Sequence, residues 1–137
     1  MPFVLDNSVV SGWYLQDQAT PYTQAVAELL HDDRAWVPPL WELELANVLR
    51  TTCQRQRQTA EHAQHVLAQM ALLPIDVDRQ AVAPSELLGL ALRFGLSSYD
   101  AAYLELALRR QIPVATKDGD LAAAARAAGV GVVTVPG

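Results

Sequence analysis

A chain of 137 residues is the size of one domain, and with 51% hydrophobic and 18% charged residues it can bury a core without disulfides or structural metals. This composition excludes a disordered chain; no apolar run is long enough to span a membrane, and no basic-then-apolar leader opens the sequence, so a single domain over 1–137 in the cytoplasm is expected. The formal charge of −5 counts against a simple polyanion binder, and the one cysteine, Cys53, leaves no internal disulfide to form.

Short apolar runs alternate with longer helical stretches. Residues 2–5 read as a buried strand that ends in Asp6-Asn7-Ser8, so Asp6 stands at a strand's carboxyl end. Taken alone, an aspartate there bonds its own turn or caps the next helix. A helix is predicted over 20–31 and a strand over 35–37. Pro38 and Pro39 then open a helix over 39–56, since proline suits a first helical turn. On this helix Glu44 shares a stripe with Leu40, Leu43, Asn47 and Val48, whereas Glu42 falls on the other side. A glutamate on an apolar stripe is costly unless something partners it.

A helix over 59–72 carries His62 and His65, but Glu61, Gln64 and Gln69 mark it as surface, so no zinc site is expected there. A strand over 73–77 and a helix over 85–94 come next. In the helix over 97–111, Asp100 shares a face with Leu96, Tyr103, Leu104 and Ala107, with Glu105 turned away; Ser97 and Asp100 also have the spacing of a capping box. A strand over 113–116 ends in Thr116-Lys117-Asp118-Gly119-Asp120, where either aspartate could cap a helix over 119–129 that Gly129 stops. Residues 131–135 read as a last strand. Two basic segments, Arg50, Arg55 and Arg57, then Arg109 and Arg110, read first as solvated helix surface. The first follows Glu44 on its helix and could also contact phosphates.

Strand–helix alternation predicts an α/β fold, a mostly parallel central sheet with helices on both faces. Ligands of such sheets bind at the strands' carboxyl ends. Asp6 and Asp118 occupy strand ends, and Glu44 and Asp100 lie on core-facing stripes, so all four could meet in one crevice. There each like-charged pair costs on the order of 4 kcal/mol at ~4 Å and an effective dielectric near 20, and cations would remove that repulsion. An all-oxygen donor set favours Mg²⁺ or Mn²⁺.

Four short segments, Val4 to Ser8, Glu44 to Leu49, Ser98 to Tyr103 and Ala115 to Asp118, occur in an order and spacing that resemble the PIN domain and, within it, VapC-like toxin ribonucleases of type II toxin–antitoxin systems. The resemblance implies a PIN-like three-layer sandwich. It implies that Asp6, Glu44, Asp100 and Asp118 form the catalytic and metal-binding set. Ser8 and Thr116 would support them, Asp120 would be an extra ligand or a helix cap, and Asn47 would be a neighbour without a catalytic part. It also implies a Mg²⁺- or Mn²⁺-dependent endoribonuclease that leaves 5′ phosphates and 3′ hydroxyls. Its substrate would be RNA, transfer RNA among the targets. Its partners would be a second copy of the chain in a homodimer and an antitoxin that lays a segment, with an arginine, across the acidic groove.

Two alternatives stand beside this reading. Asp6 at a strand end with Thr116 and Lys117 loosely fits phosphoryl transfer through an aspartyl phosphate, although Ser8 stands where such enzymes use a second Asp. A non-catalytic binding module on the same fold is the other.

Overall fold

Four short strands form the centre of the molecule, a computed structural model that describes residues 1–135: β1 (Phe3–Leu5), β2 (Ala35–Val37), β3 (Ile75–Val77) and β4 (Val114–Ala115). All pair in parallel, in the order β3-β2-β1-β4. Parallel strands need crossovers, and helices supply them. Between β1 and β2 run α1 (Asn7–Tyr14), a 3₁₀ turn (Gln16–Gln18) and α2 (Pro21–Leu29); between β2 and β3, α3 (Leu40–Gln54) and α4 (Ala60–Met70). Between β3 and β4 run α5 (Pro84–Phe94) and α6 (Ser98–Arg110), and α7 (Gly119–Ala127) follows β4. The result is the expected α/β three-layer sandwich. The three residues of β1 are at most 1% exposed, which is why that strand is a continuous apolar run.

Helix starts follow local chemistry. The Thr20 and Thr59 hydroxyls accept from the amides of Thr23 and His62, Ser97 Oγ accepts from the Asp100 amide at 3.1 Å, and prolines occupy the first turns of α2 and α5. Asp118, not Asp120, caps α7: its Oδ1 accepts from the amides of Asp120 at 2.9 Å and Leu121 at 3.1 Å. His62 and His65 are exposed on α4.

Three sequence expectations change. Helix α1 forms where the sequence predicts none, because Val9, Val10 and Gly12 are weak helix formers; burial of all three stabilises it instead. Residues 131–135 do not form a strand. They contribute one parallel bridge, Val114 to Val132, because Gly129 and Gly131 turn the chain through φ of +85° and +82° and β4 is only two residues long. The buried stripe of α3 is Trp41, Leu45, Leu49 and Thr52, while Leu43 is 72% exposed and Asn47 is exposed. Glu44 therefore lies on the rim of that stripe.

Gly12 marks the closest approach of α1 to α2. A Cβ at this position would lie 2.6 Å from the Oγ1 and Cγ2 of Thr23. Thr23 is fully buried and its hydroxyl is committed to the Thr20 capping box, so it cannot swing away. Gly12→Ala is expected to destabilise the protein by about 1–3 kcal/mol in urea unfolding, despite alanine's better helix propensity.

Candidate functional site

β1 is flanked by β2 on one side and β4 on the other, so the strand order reverses direction between β1 and β4. A crevice opens outside the carboxyl ends of strands at such a switch point. The ladder holds the ends of β1 and β4 together there: the Asp6 amide donates to the Ala115 carbonyl at 3.0 Å.

Asp6 occupies the N-cap position of α1 but makes no side-chain cap bond. Its carboxylate instead accepts, at Oδ2, the hydroxyls of Ser8 and Thr116, each at 2.7 Å. Those hydroxyls accept in turn from the backbone: Lys117 N to Ser8 Oγ at 2.9 Å and Asp118 N to Thr116 Oγ1 at 2.9 Å. Two amides of the loop after β4 thus orient two hydroxyls, and these orient Asp6. The bland reading of Asp6 as a cap fails, whereas for Asp118 it holds.

Glu44 approaches from α3 and accepts the hydroxyl of Tyr103, which is fully buried on α6. Asp100, one turn before Tyr103, sits half-buried on α6. Burial, then the charges of Asp118, Asp6, Glu44 and Asp120, push its carboxyl up to about 6. Burial also raises Asp6 and Glu44. The Thr116 and Ser8 hydroxyls work against it at Asp6, and the Tyr103 hydroxyl at Glu44; the charge of Asp118 adds to the rise at Asp6, and that of Asp6 to the rise at Glu44. The carboxylates of four separate elements are therefore within electrostatic reach of one another. They do not close into a finished cage: among the described residues no three His, Cys, Asp or Glu side chains are drawn together tightly enough to hold an ion by themselves. An all-oxygen, strongly like-charged and open set of this kind fits a hard cation that keeps several of its waters, as Mg²⁺ does.

The raised carboxyls have a consequence for the metal-free protein. A group whose folded pKa exceeds its unfolded value binds more protons when folded, so stability falls as pH rises between the two values. With Asp100 rising from 3.8 to about 6, and Asp6 and Glu44 shifted the same way, the metal-free protein should melt at a lower temperature at pH 7 than at pH 5. Calorimetry in EDTA at the two pH values checks this, and an equal or higher melting temperature at pH 7 would contradict it.

The predicted arginines behave differently from one another. Arg50, Arg55 and Arg57 are exposed on α3 and the turn after it. Arg55 and Arg57 line a groove with Ser11, Asn47, Thr51 and Asp17, and Arg57 Nη1 pairs with Asp17 Oδ2 at 3.0 Å. Arg109 and Arg110 are not free surface. Both bind Asp78 Oδ2 at 2.8 Å, Arg109 also holds Glu105, and Arg110 stacks 3.4 Å over the Trp36 ring. Glu105 is accordingly turned toward this network and half-buried.

Sequence reasoning misses two residues of the site. Tyr103 is visible there only as an apolar neighbour of Asp100, yet its hydroxyl is what partners Glu44. Asn7 is buried, with Nδ2 donating to the Trp41 carbonyl at 3.0 Å and Oδ1 left without a partner. It ties the start of α1 to the start of α3, and its one signal is its place between Asp6 and Ser8.

Comparison with known proteins agrees with this fold. The fold is similar to that of PAE2754 from Pyrobaculum aerophilum, with a TM-score of 0.65 and 18% identity over 96% of this chain and 83% of that one. No curated protein matches the sequence. Residues 3–127 match the PIN domain family, a span that runs from the first residue of β1 to the last of α7. The chain belongs to the PIN domain family, whose members are in general metal-dependent nucleases.

Proposed function

We propose that the chain is a Mg²⁺- or Mn²⁺-dependent endoribonuclease of the VapC type, the toxin of a toxin–antitoxin pair, acting in the cytoplasm as a homodimer of single-domain chains. What supports the nuclease reading is that Asp6, Glu44, Asp100 and Asp118 lie within electrostatic reach of one another beside the β1/β4 switch point, with Asp6 tied to Thr116 at 2.7 Å. Asp6, Asp100 and Asp118 would hold the ion, with Asp120 at the margin. When bound, a divalent cation supplies Lewis acidity, making water a nucleophile near neutral pH and offsetting charge that builds on the phosphodiester.

The chain's own groups do the positioning. Ser8 and Thr116 hold Asp6 through its Oδ2. The Tyr103 hydroxyl fixes Glu44, which orients the attacking water or completes the ligand set. Attack in line with the leaving oxygen leaves a 5′ phosphate and a 3′ hydroxyl. Single-stranded loops suit this crevice, since unpaired nucleotides can be splayed into it. An antitoxin arginine among these carboxylates would block the site by occupying the charge that the cation needs.

Total RNA incubated with the pure protein should be cut in Mg²⁺ or Mn²⁺ and stay intact in EDTA. Sequencing the new 5′ ends would then name the target. RNA that stays intact in Mn²⁺ would reject the enzyme reading in favour of a binding module.

A further inference from the structure

The protein carries ten Lys and Arg residues against fifteen Asp and Glu, so its overall field cannot draw in a polyanion; local cations must do so. Among the described residues Arg34, Arg57, Arg79, Arg109 and Arg110 are in ion pairs with carboxylates. Arg50, Arg55, Arg93, Lys117 and Arg126 are in none. Two of these five, Lys117 and Arg126, line one groove of about 510 Å³, and that groove shares Thr116 with the carboxylate cluster.

Lys117 joins the two places. Its backbone amide bonds Ser8 Oγ within the cluster, while its side chain leaves the cluster, Nζ donating to the Gln18 carbonyl at 2.8 Å. A carbonyl positions an ammonium without neutralising it, and two of the three donors remain for another acceptor. Arg126 is exposed near the end of α7 and lines the same groove as Tyr22. The Tyr22 hydroxyl donates to the Val133 carbonyl at 2.8 Å, so the ring is fixed in the lining of the groove. Two uncompensated cations, a fixed aromatic ring and apolar walls from Val132 and Val133 make up the chemistry that holds a single-stranded nucleic acid: charge for the backbone and a flat face for a base. The groove beside Arg55 is a weaker candidate, because Asp17 lines it and neutralises Arg57.

We propose that the groove between α2, α7 and residues 132–135 is the track of the RNA backbone next to the cleavage site, with Lys117 and Arg126 on neighbouring phosphates and Tyr22 under a base. The proposal rests on the nuclease reading, and its test separates the two. Binding of a fluorescein-labelled oligouridine is measured by anisotropy across a KCl series, in an Asp6→Asn background so that nothing is cut. Replacing both Lys117 and Arg126 with Gln should weaken binding roughly 10-fold at low salt. It should also reduce the slope of log affinity against log salt by about 1.4, near 0.7 for each phosphate that the protein no longer neutralises. In the cutting protein the same pair should raise KM by a larger factor than it lowers kcat. Arg93→Ala, an exposed arginine outside the groove, should change neither quantity.

An unchanged slope and affinity in the double variant, with cleavage by the wild type, overturns the track and leaves the nuclease standing. A reduced slope without any cleavage by the wild type in Mg²⁺ or Mn²⁺ keeps the track and overturns the nuclease. Absence of RNA binding by the Asp6→Asn protein overturns the track whatever the cleavage assay reads.

Discussion

Asp6→Asn is expected to lower RNA cleavage by at least about 100-fold while the protein stays folded. Disturbing groups that merely support a metal ligand already costs roughly 10–100-fold, so loss of a ligand charge should exceed the upper end. The fold should survive because the amide oxygen can accept the same two hydroxyls, Ser8 and Thr116, that Oδ2 accepts now. The variant should even melt higher than wild type in EDTA, since it removes a carboxylate that is 7% exposed and lies under the charge of Asp118. That gain should disappear in Mg²⁺, where the wild type gains the cation and the variant binds it poorly. Cleavage kinetics and paired melting curves with and without Mg²⁺ test all three parts. Wild-type cleavage by the variant would remove Asp6 from the chemistry.

The second large effect concerns stability. Asp78→Ala should cost about 2–3 kcal/mol, a fall in Tm of roughly 8–12 °C for a chain of this size. The Asp78 side chain is 4% exposed, binds Arg109 and Arg110 at 2.8 Å each, and accepts the Gln80 amide at 3.0 Å. Removing it strands two guanidiniums beside each other. Because these are 24% and 33% exposed, water can partly solvate them, which keeps the loss at or below the low end for a broken buried pair. The network also connects the end of β3, Trp36 of β2 and the last turn of α6, and α6 carries Asp100 and Tyr103. The arginines and the Gln80 amide hold the Asp78 carboxyl down at about 2 against its burial. A depressed folded pKa stabilises above the unfolded value and is lost as pH falls through the folded one, here from about 4 down to about 2. The wild type should therefore lose stability faster than Asp78→Ala over that window. Equal Tm values at pH 7 would show that the network adds nothing.

The acid-range behaviour of this protein thus has two opposing parts. Between about pH 4 and 6, protonation of Asp100 relieves repulsion in the crevice and stabilises; below about pH 4, loss of the Asp78 charge destabilises. A stability maximum in EDTA near pH 4 to 5 follows from the two together.

Much of the architecture can be read from periodicity alone. Apolar runs bounded by turn residues locate the four strands to within about two residues, and Ser97 and the Pro38-Pro39 pair locate the starts of α6 and α3, because capping and proline geometry are local. The positions of Asp6 and Asp118 after strands follow from the same reading. What the sequence alone does not supply are effects that depend on distant partners. Helix α1 has weak intrinsic propensity and exists because Gly12 lets it pack on Thr23. The apolar stripe of α3 is set by which face meets the sheet, so Trp41 and Leu45 are buried where periodicity points to Leu43 and Asn47. Arg109 and Arg110 read as surface because Asp78 lies more than thirty residues away. The roles of the hydroxyls show the same limit. That Thr116 orients Asp6 across 110 residues, and that Tyr103 partners Glu44 across 59, are outcomes of strand order and helix placement. Residue chemistry by itself marked which side chains could meet; the parallel sheet, with its reversal between β1 and β4, decided which of them do, because only a folded chain brings distant charges and donors within a few ångströms.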